Sequence, residues 1–105
     1  MSSQPTLEEW NFQVLMLTQA LVGAISANFR MIALLWDGDE WVLRFYLEES
    51  NEEDVEEIED VVCQYTAYQG SSLRCRSELI VGRERLPGLS EVGRVVYRRR
   101  ESFDI

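Results

Sequence analysis

The chain of 105 residues has no lysine and no histidine, so all ten of its basic side chains are arginine. Without histidine it lacks the side chain that titrates near neutral pH, and with it the commonest general base and metal ligand. Cysteine is scarce: Cys63 and Cys75 stand twelve apart with no CxxC pair, which excludes a zinc site of the Cys/His kind. One lies in an apolar helical stripe and the other at an alternating strand position, and both are expected to be buried free thiols. Neither GxGxxG nor GxxxxGK(S/T) occurs, and no serine sits in a nucleophile elbow, so those routes to nucleotide binding and covalent catalysis are closed. Long apolar runs are also missing. The stretch from Trp10 to Ile25 is broken by Asn11, Gln13, Thr18 and Gln19, whereas a membrane span needs about 20 mostly apolar residues. Residues 1–9 carry no basic side chain and already include Glu8 and Glu9, so no secretory leader is expected and the expected location is cytoplasmic. These absences predict a non-enzyme without cofactor or metal.

What is abundant is negative charge. Nineteen acidic residues against ten arginines give a formal net charge of −9. Residues 1–60 hold 14 acids and two arginines, and residues 61–105 hold five acids and eight arginines. Nine of the acids fall between Glu48 and Asp60. Such polarity repels nucleic acid and anionic membrane over the acidic part and attracts a cationic protein there. An apolar fraction of 46% over 105 residues suits one domain, residues 1–105, with residues 101–105 as a frayed tail.

The elements follow from local pattern. Thr6 and Glu9 form a capping box, and Leu7, Trp10, Val14, Leu17, Leu21 and Ile25 recur at helical spacing, with Asn28 as the expected stop. Arg30 to Trp36 and Trp41 to Leu47 read as a hairpin around Asp37-Gly38-Asp39-Glu40. Either loop length places Ile32, Leu34 and Trp36 on one face with Leu43, Phe45 and Leu47. Ser50 to Glu53 reads as a second capping box, followed by a helix with the stripe Val55, Ile58, Val62, Tyr65 and ended by Gly70. Leu73 to Val81 alternates as a strand, and Arg94 to Arg100 is the last one. The expected fold is therefore α+β, in the order α-β-β-α-β-β. A four-stranded, mainly antiparallel sheet carries both helices on one face.

Two acidic clusters are candidate partner-binding sites. Glu53, Glu56, Glu57 and Asp60 point away from the apolar stripe of the second helix. Like charges at i,i+4 cost roughly 0.2–0.5 kcal/mol per pair, approaching about 1 kcal/mol for the set. No lysine at i+4 relieves them. A face that serves only solubility fits the same residues, and the sequence leaves both readings open. Asp37, Asp39 and Glu40 form the second cluster, at the hairpin tip. Asp-x-Asp also opens a calcium loop, but Trp41 and Leu43 occupy later ligand positions, so turn chemistry explains it better. The other face of the hairpin, with Met31, Ala33, Leu35, Val42, Arg44 and Tyr46, is too apolar for water. It lies beneath a loop or tail, or forms a homo-oligomer interface through Met31, Leu35 and Tyr46. Arg98 and Arg100 lie on one face of the last strand and Arg99 on the other, positions suited to pairing with carboxylates on neighbouring strands.

The segments 35–47 (LWDGDEWVLRFYL) and 50–58 (SNEEDVEEI) resemble small bacterial immunity proteins of polymorphic toxin systems, such as those of contact-dependent growth inhibition. The shared features are a tryptophan-flanked hairpin and an acidic, capped helix, over about the middle third of the chain. The resemblance implies a cytoplasmic antitoxin that binds a cognate toxin domain, commonly a basic nuclease, and blocks its active site or substrate groove. An acidic secretion chaperone or adaptor acting as a homodimer is the competing expectation.

Overall fold

A computed structural model describes residues 4–89 and 93–101 of the chain. The elements run α1 (Leu7–Ala20), β1 (Phe29–Trp36), β2 (Trp41–Leu47), α2 (Glu52–Ala67), β3 (Cys75–Val81) and β4 (Arg94–Arg98). Helix α1 starts as its capping box requires. The Glu9 amide donates to the Thr6 hydroxyl at 3.1 Å and the Thr6 amide to the Glu9 carboxylate at 2.8 Å. It stops at Ala20, well before Asn28, because the chain turns through Gly23 at φ +82°. Asn28 has another task. Its side-chain amide donates to the Glu49 carbonyl at 2.7 Å and to Asp54 at 2.9 Å, tying the entry of β1 to the start of α2.

Strands β1 and β2 form the expected hairpin with a four-residue loop, Trp36 opposite Trp41. Gly38 at φ +97° makes the turn, and the Asp37 carboxylate accepts the amides of Asp39 and Glu40 at 2.9 and 2.8 Å. The core-facing set is as expected. Ile32, Leu34, Leu43, Phe45 and Leu47 are fully buried with Phe29, Leu17, Ile58, Val61 and Tyr65 between the sheet and both helices, and Trp36 packs at the edge of this cluster. Each aliphatic side chain so buried contributes about 1.5–3 kcal/mol relative to leaving it in water.

Helix α2 is capped by Asn51, not Ser50: the Asn51 side chain accepts the Asp54 amide at 2.9 Å. Its inner face is Asp54, Ile58, Val61 and Tyr65, so Val55 and Val62 flank the core at half-burial. The change of phase has a cause. Asp54 turns inward because Ser26 and Asn28 donate to its two oxygens, each at 2.9 Å. The same rotation leaves Cys63 exposed instead of buried, while Cys75 is half-buried, and both thiols are free.

The sheet order is β3-β2-β1-β4. Two of its three pairings are antiparallel, and β2 with β3 is parallel, in continuous register from Trp41–Cys75 to Leu47–Val81. A parallel pair needs a crossover, which α2 supplies. Leu73 lies ahead of β3, and β4 closes at Arg98, two residues short of the expected end. Gly93 enters β4 so close to β1 that a Cβ there would sit 2.1 Å from the Leu34 carbonyl oxygen.

The second sheet face is covered by described residues of the segment that follows β3. Leu86 packs on Met31, Ala33 and Tyr46, with Leu35 and Val95 at the margin. Arg98 holds this segment down by donating to the Pro87 carbonyl at 2.9 Å. Met31 and Tyr46 are therefore buried within the chain and Leu35 is half-buried, which removes most of the apolar surface expected to serve a homo-oligomer. Among the described residues no helix is long and apolar enough to cross a membrane. Of the expected frayed tail, residues 102–105 lie outside the described residues, and Glu101 is held by Arg30 and Arg99.

Candidate functional site

The outward face of α2 follows directly from its inward one. With Asp54, Ile58, Val61 and Tyr65 turned to the core, Glu52, Glu53, Glu56, Glu57, Glu59 and Asp60 are exposed. Helix α2 has seven acids and no base. The first three stand in its first turn, where the helix dipole favours negative charge, but Glu56, Glu57, Glu59 and Asp60 gain little from it. Among the described residues every ion pair lies elsewhere. This face is a patch of uncompensated carboxylates.

The hairpin tip is different. The parallel pairing sets Cys75 beside Trp41, which brings Arg74 and Arg76 against the tip. Arg74 pairs with Asp39 at 2.9 Å. Arg76 bridges Asp37, Glu40 at 3.0 Å and Glu78 at 3.0 Å. The backbone amide of Glu40, then Arg76, then the amide of Asp39 hold the Asp37 carboxyl down at about 2. Asp37, then Glu40 and Glu78, push the Arg76 guanidinium up by accepting its hydrogen bonds. Seven residues were expected to bind a partner. The structure leaves Glu53, Glu56, Glu57 and Asp60 open, and engages Asp37, Asp39 and Glu40 with the chain's own arginines.

Arg30, Arg44, Arg83 and Arg99 follow the same pattern. Arg30, itself buried, donates to Glu101 at 2.6 Å and to the Gly82 carbonyl at 2.9 Å. Arg99 bridges Glu48 and Glu101, each at 2.8 Å, and Arg83 reaches Glu49 at 2.8 Å and Glu48 at 3.3 Å. Arg44 meets Glu78 at 2.8 Å. The Glu48 carboxyl is lowered chiefly by Arg99, Glu78 by Arg44, and Glu101 by Arg30. Arg94 lies 4.5 Å over the Trp10 ring.

Sequence reasoning did not find the recess beside the tip. It measures about 320 Å³ and is lined by Glu9, Gln13, Trp36, Trp41, Gln69 and Arg74, among others. Its floor is a closed relay: Tyr65 donates to Gln13 at 2.5 Å, Gln13 to Gln69 at 2.7 Å, and Gln69 back to the Tyr65 carbonyl at 2.8 Å. Burial pushes the Tyr65 hydroxyl up, so it stays a neutral donor. Trp41 stands edge-on to Trp10 at 5.0 Å and to Trp36 at 5.1 Å, and the buried Trp36 Nε1 has no hydrogen-bond partner. The available signal was Gln13, a polar residue three after Trp10 and four before Leu17 on the buried stripe. Nothing in the recess pairs a nucleophile with a base. Among the described residues, no group of three or more His, Cys, Asp or Glu side chains is arranged to hold a metal ion.

A family model described as MafI2 immunity protein matches residues 12–101, from the first turns of α1 to the anchor at Glu101. No curated protein matches the chain.

Proposed function

The chain belongs to the MafI2 immunity protein family, and from that premise we propose that it neutralises a cognate basic toxin domain, a nuclease, by docking the outward face of α2 onto it. It acts in the cytoplasm by occupying the toxin's surface and not by chemistry of its own. The observation that supports this is the uneven use of charge. Six of the ten arginines pair with carboxylates at the tip, on β3 and around Glu48, Glu49 and Glu101, and among the described residues none pairs with the exposed acids of α2. Glu53, Glu56, Glu57 and Asp60 form the centre of the contact, with Asp37, Asp39 and Glu40 as a separate, weaker contact at the hairpin tip, where their internal pairs limit what they add.

The physics is electrostatic occlusion. A nuclease needs positive charge to hold phosphates, and an acidic helix competes for that ground. Opposite fields also speed encounter, an advantage that salt erodes. The test uses the toxin domain encoded beside this gene and the variant in which Glu53, Glu56, Glu57 and Asp60 are all changed to Arg. Kd should weaken about a hundredfold, equivalent to about 2.7 kcal/mol over four charges, and the wild-type salt dependence should flatten. Unchanged affinity at low salt would overturn the proposal.

A further inference from the structure

The geometry points to β3 as a second docking element: we propose that the toxin adds an extended basic segment, antiparallel, to the open edge of this strand. The inference rests on the antitoxin reading and extends it to a backbone contact. Strand β3 ends the sheet order, with β2 on one side and no described strand on the other. The Trp41 amide donates to the Arg74 carbonyl and the Gly82 amide to the Leu47 carbonyl, each at 3.0 Å. Residues two apart in a strand turn their backbone groups the same way. The even-numbered residues from Arg74 to Gly82 therefore face β2, and Cys75, Ser77, Leu79 and Val81 present their N–H and C=O groups outward.

Sheet edges are ordinarily guarded by lysine, proline or a bulge. The chain has no lysine, β3 has no proline, and its register with β2 is unbroken over seven residues. Its two charges, Arg76 and Glu78, are held by Arg44 and the tip. The other half is bare, with Leu79, Ile80 and Val81 exposed at 41%, 41% and 43%. A strand of this kind suits addition of another chain, main-chain hydrogen bonds giving affinity and alternate side chains giving specificity.

Charge selects the occupant. Helix α1 packs beside α2 and also reaches β4, so α2 lies over the half of the sheet that ends in β3. A second copy joined edge to edge would set two α2 helices over adjoining halves of one sheet, each with seven acids and no base. Repulsion opposes that pairing, and the same field draws in a basic strand.

The experiment measures residue-level amide exchange and Kd with the toxin domain encoded beside this gene. The Leu79 N–H points outward, so Leu79→Pro removes a donor to the partner without breaking the ladder to β2. Val81→Lys, which places a charge on the edge, stands in if the proline variant fails to fold. On binding, the Ser77, Leu79 and Val81 amides should slow, and either variant should weaken Kd at least tenfold with its unfolding midpoint within a few degrees of wild type. If toxin binds, the α2 charge reversal weakens it, and the edge amides and both variants are unaffected, the edge proposal alone is overturned. If wild type binds no toxin, the antitoxin reading and this one fall together. Edge protection that grows with the concentration of the isolated chain would assign β3 to a second copy and overturn the proposal.

Discussion

Cutting Glu101 back to alanine should destabilise the fold by about 2–3 kcal/mol, far more than its place near the end of the sequence suggests. The Glu101 carboxylate receives Arg30 Nη2 at 2.6 Å and Arg30 Nε at 3.2 and 3.3 Å, and Arg99 Nη2 at 2.8 Å. Both partners of the Arg30 pair are covered, their side chains 7% and 9% exposed. With the carboxylate gone, the Arg30 guanidinium keeps, among the described residues, the Gly82 carbonyl as its acceptor. Breaking a buried pair by removing one partner costs about 3–5 kcal/mol. Arg30 keeps one protein acceptor, the Gly82 carbonyl, which places the cost at or below the bottom of that range. For a domain of this size each kcal/mol moves Tm by about 4–8 °C, so the shift should be roughly 10–20 °C. Urea unfolding and a thermal scan followed by tryptophan fluorescence measure both. Glu49→Ala, which removes an exposed partner of Arg83, is the control and should change stability by less than about 1 kcal/mol. A loss below about 1 kcal/mol for Glu101→Ala would refute the reasoning, because the pair would then behave as a solvent-screened one.

Two further outcomes follow from the same geometry. Gly93→Ala should destabilise by about 2 kcal/mol or more, since its Cβ would lie 2.1 Å from the Leu34 carbonyl oxygen and would prise β4 from β1; an unfolding midpoint equal to wild type would show that the strands yield freely. Stability should be level between about pH 5 and 8 and fall as pH drops from about 4 toward 2. The lowered carboxyls of Asp37, Glu48, Glu78 and Glu101 bind fewer protons in the folded chain than in the unfolded one, and their contribution is lost as they protonate. Arg76→Gln should reduce the part due to Asp37 and Glu78 without abolishing it, since the Glu40 amide and Arg44 remain, and parallel acid limbs for the two proteins in urea titrations would count against that assignment.

Features set by neighbours in sequence were legible. The Thr6–Glu9 box, the Trp36–Trp41 hairpin and the outward set Glu53, Glu56, Glu57 and Asp60 each depend on residues within a turn or two, where spacing alone decides who meets whom. Errors arose where a distant residue decided a local choice. Ser50 and Asn51 are both competent caps, and the contacts of Asp54 with Ser26 and Asn28 favour Asn51 and the phase that exposes Cys63. Trp41 and Cys75 are far apart in sequence, and their parallel pairing was invisible without the strand order. With it went the neutralised tip and the open edge of β3. The resemblance in the middle third pointed to the right kind of family, but carried no geometry for the partner contact.

The arginines explain why the acidic helix stands alone. A guanidinium presents a planar fork that engages several carboxylate oxygens at once, whereas an ammonium is a point charge. Arg76 spans Asp37, Glu40 and Glu78, Arg99 spans Glu48 and Glu101, and Arg83 spans Glu48 and Glu49. Each such bridge joins segments distant in sequence: tip to β3, the end of β2 to the C-terminal anchor, and the end of β2 to the loop after β3. Six of the ten arginines are thus committed to fastening the sheet, and none of the ten lies on α2. Lysines on α2 would have spread the charge evenly and left no field to steer a partner. With those arginines committed elsewhere, seven of the nineteen acids stand on one helix without a base, against a net charge of −9 for the whole chain. The stability and the proposed recognition draw on one pool of ion pairs, so a charge added to α2 should alter binding before it alters the fold.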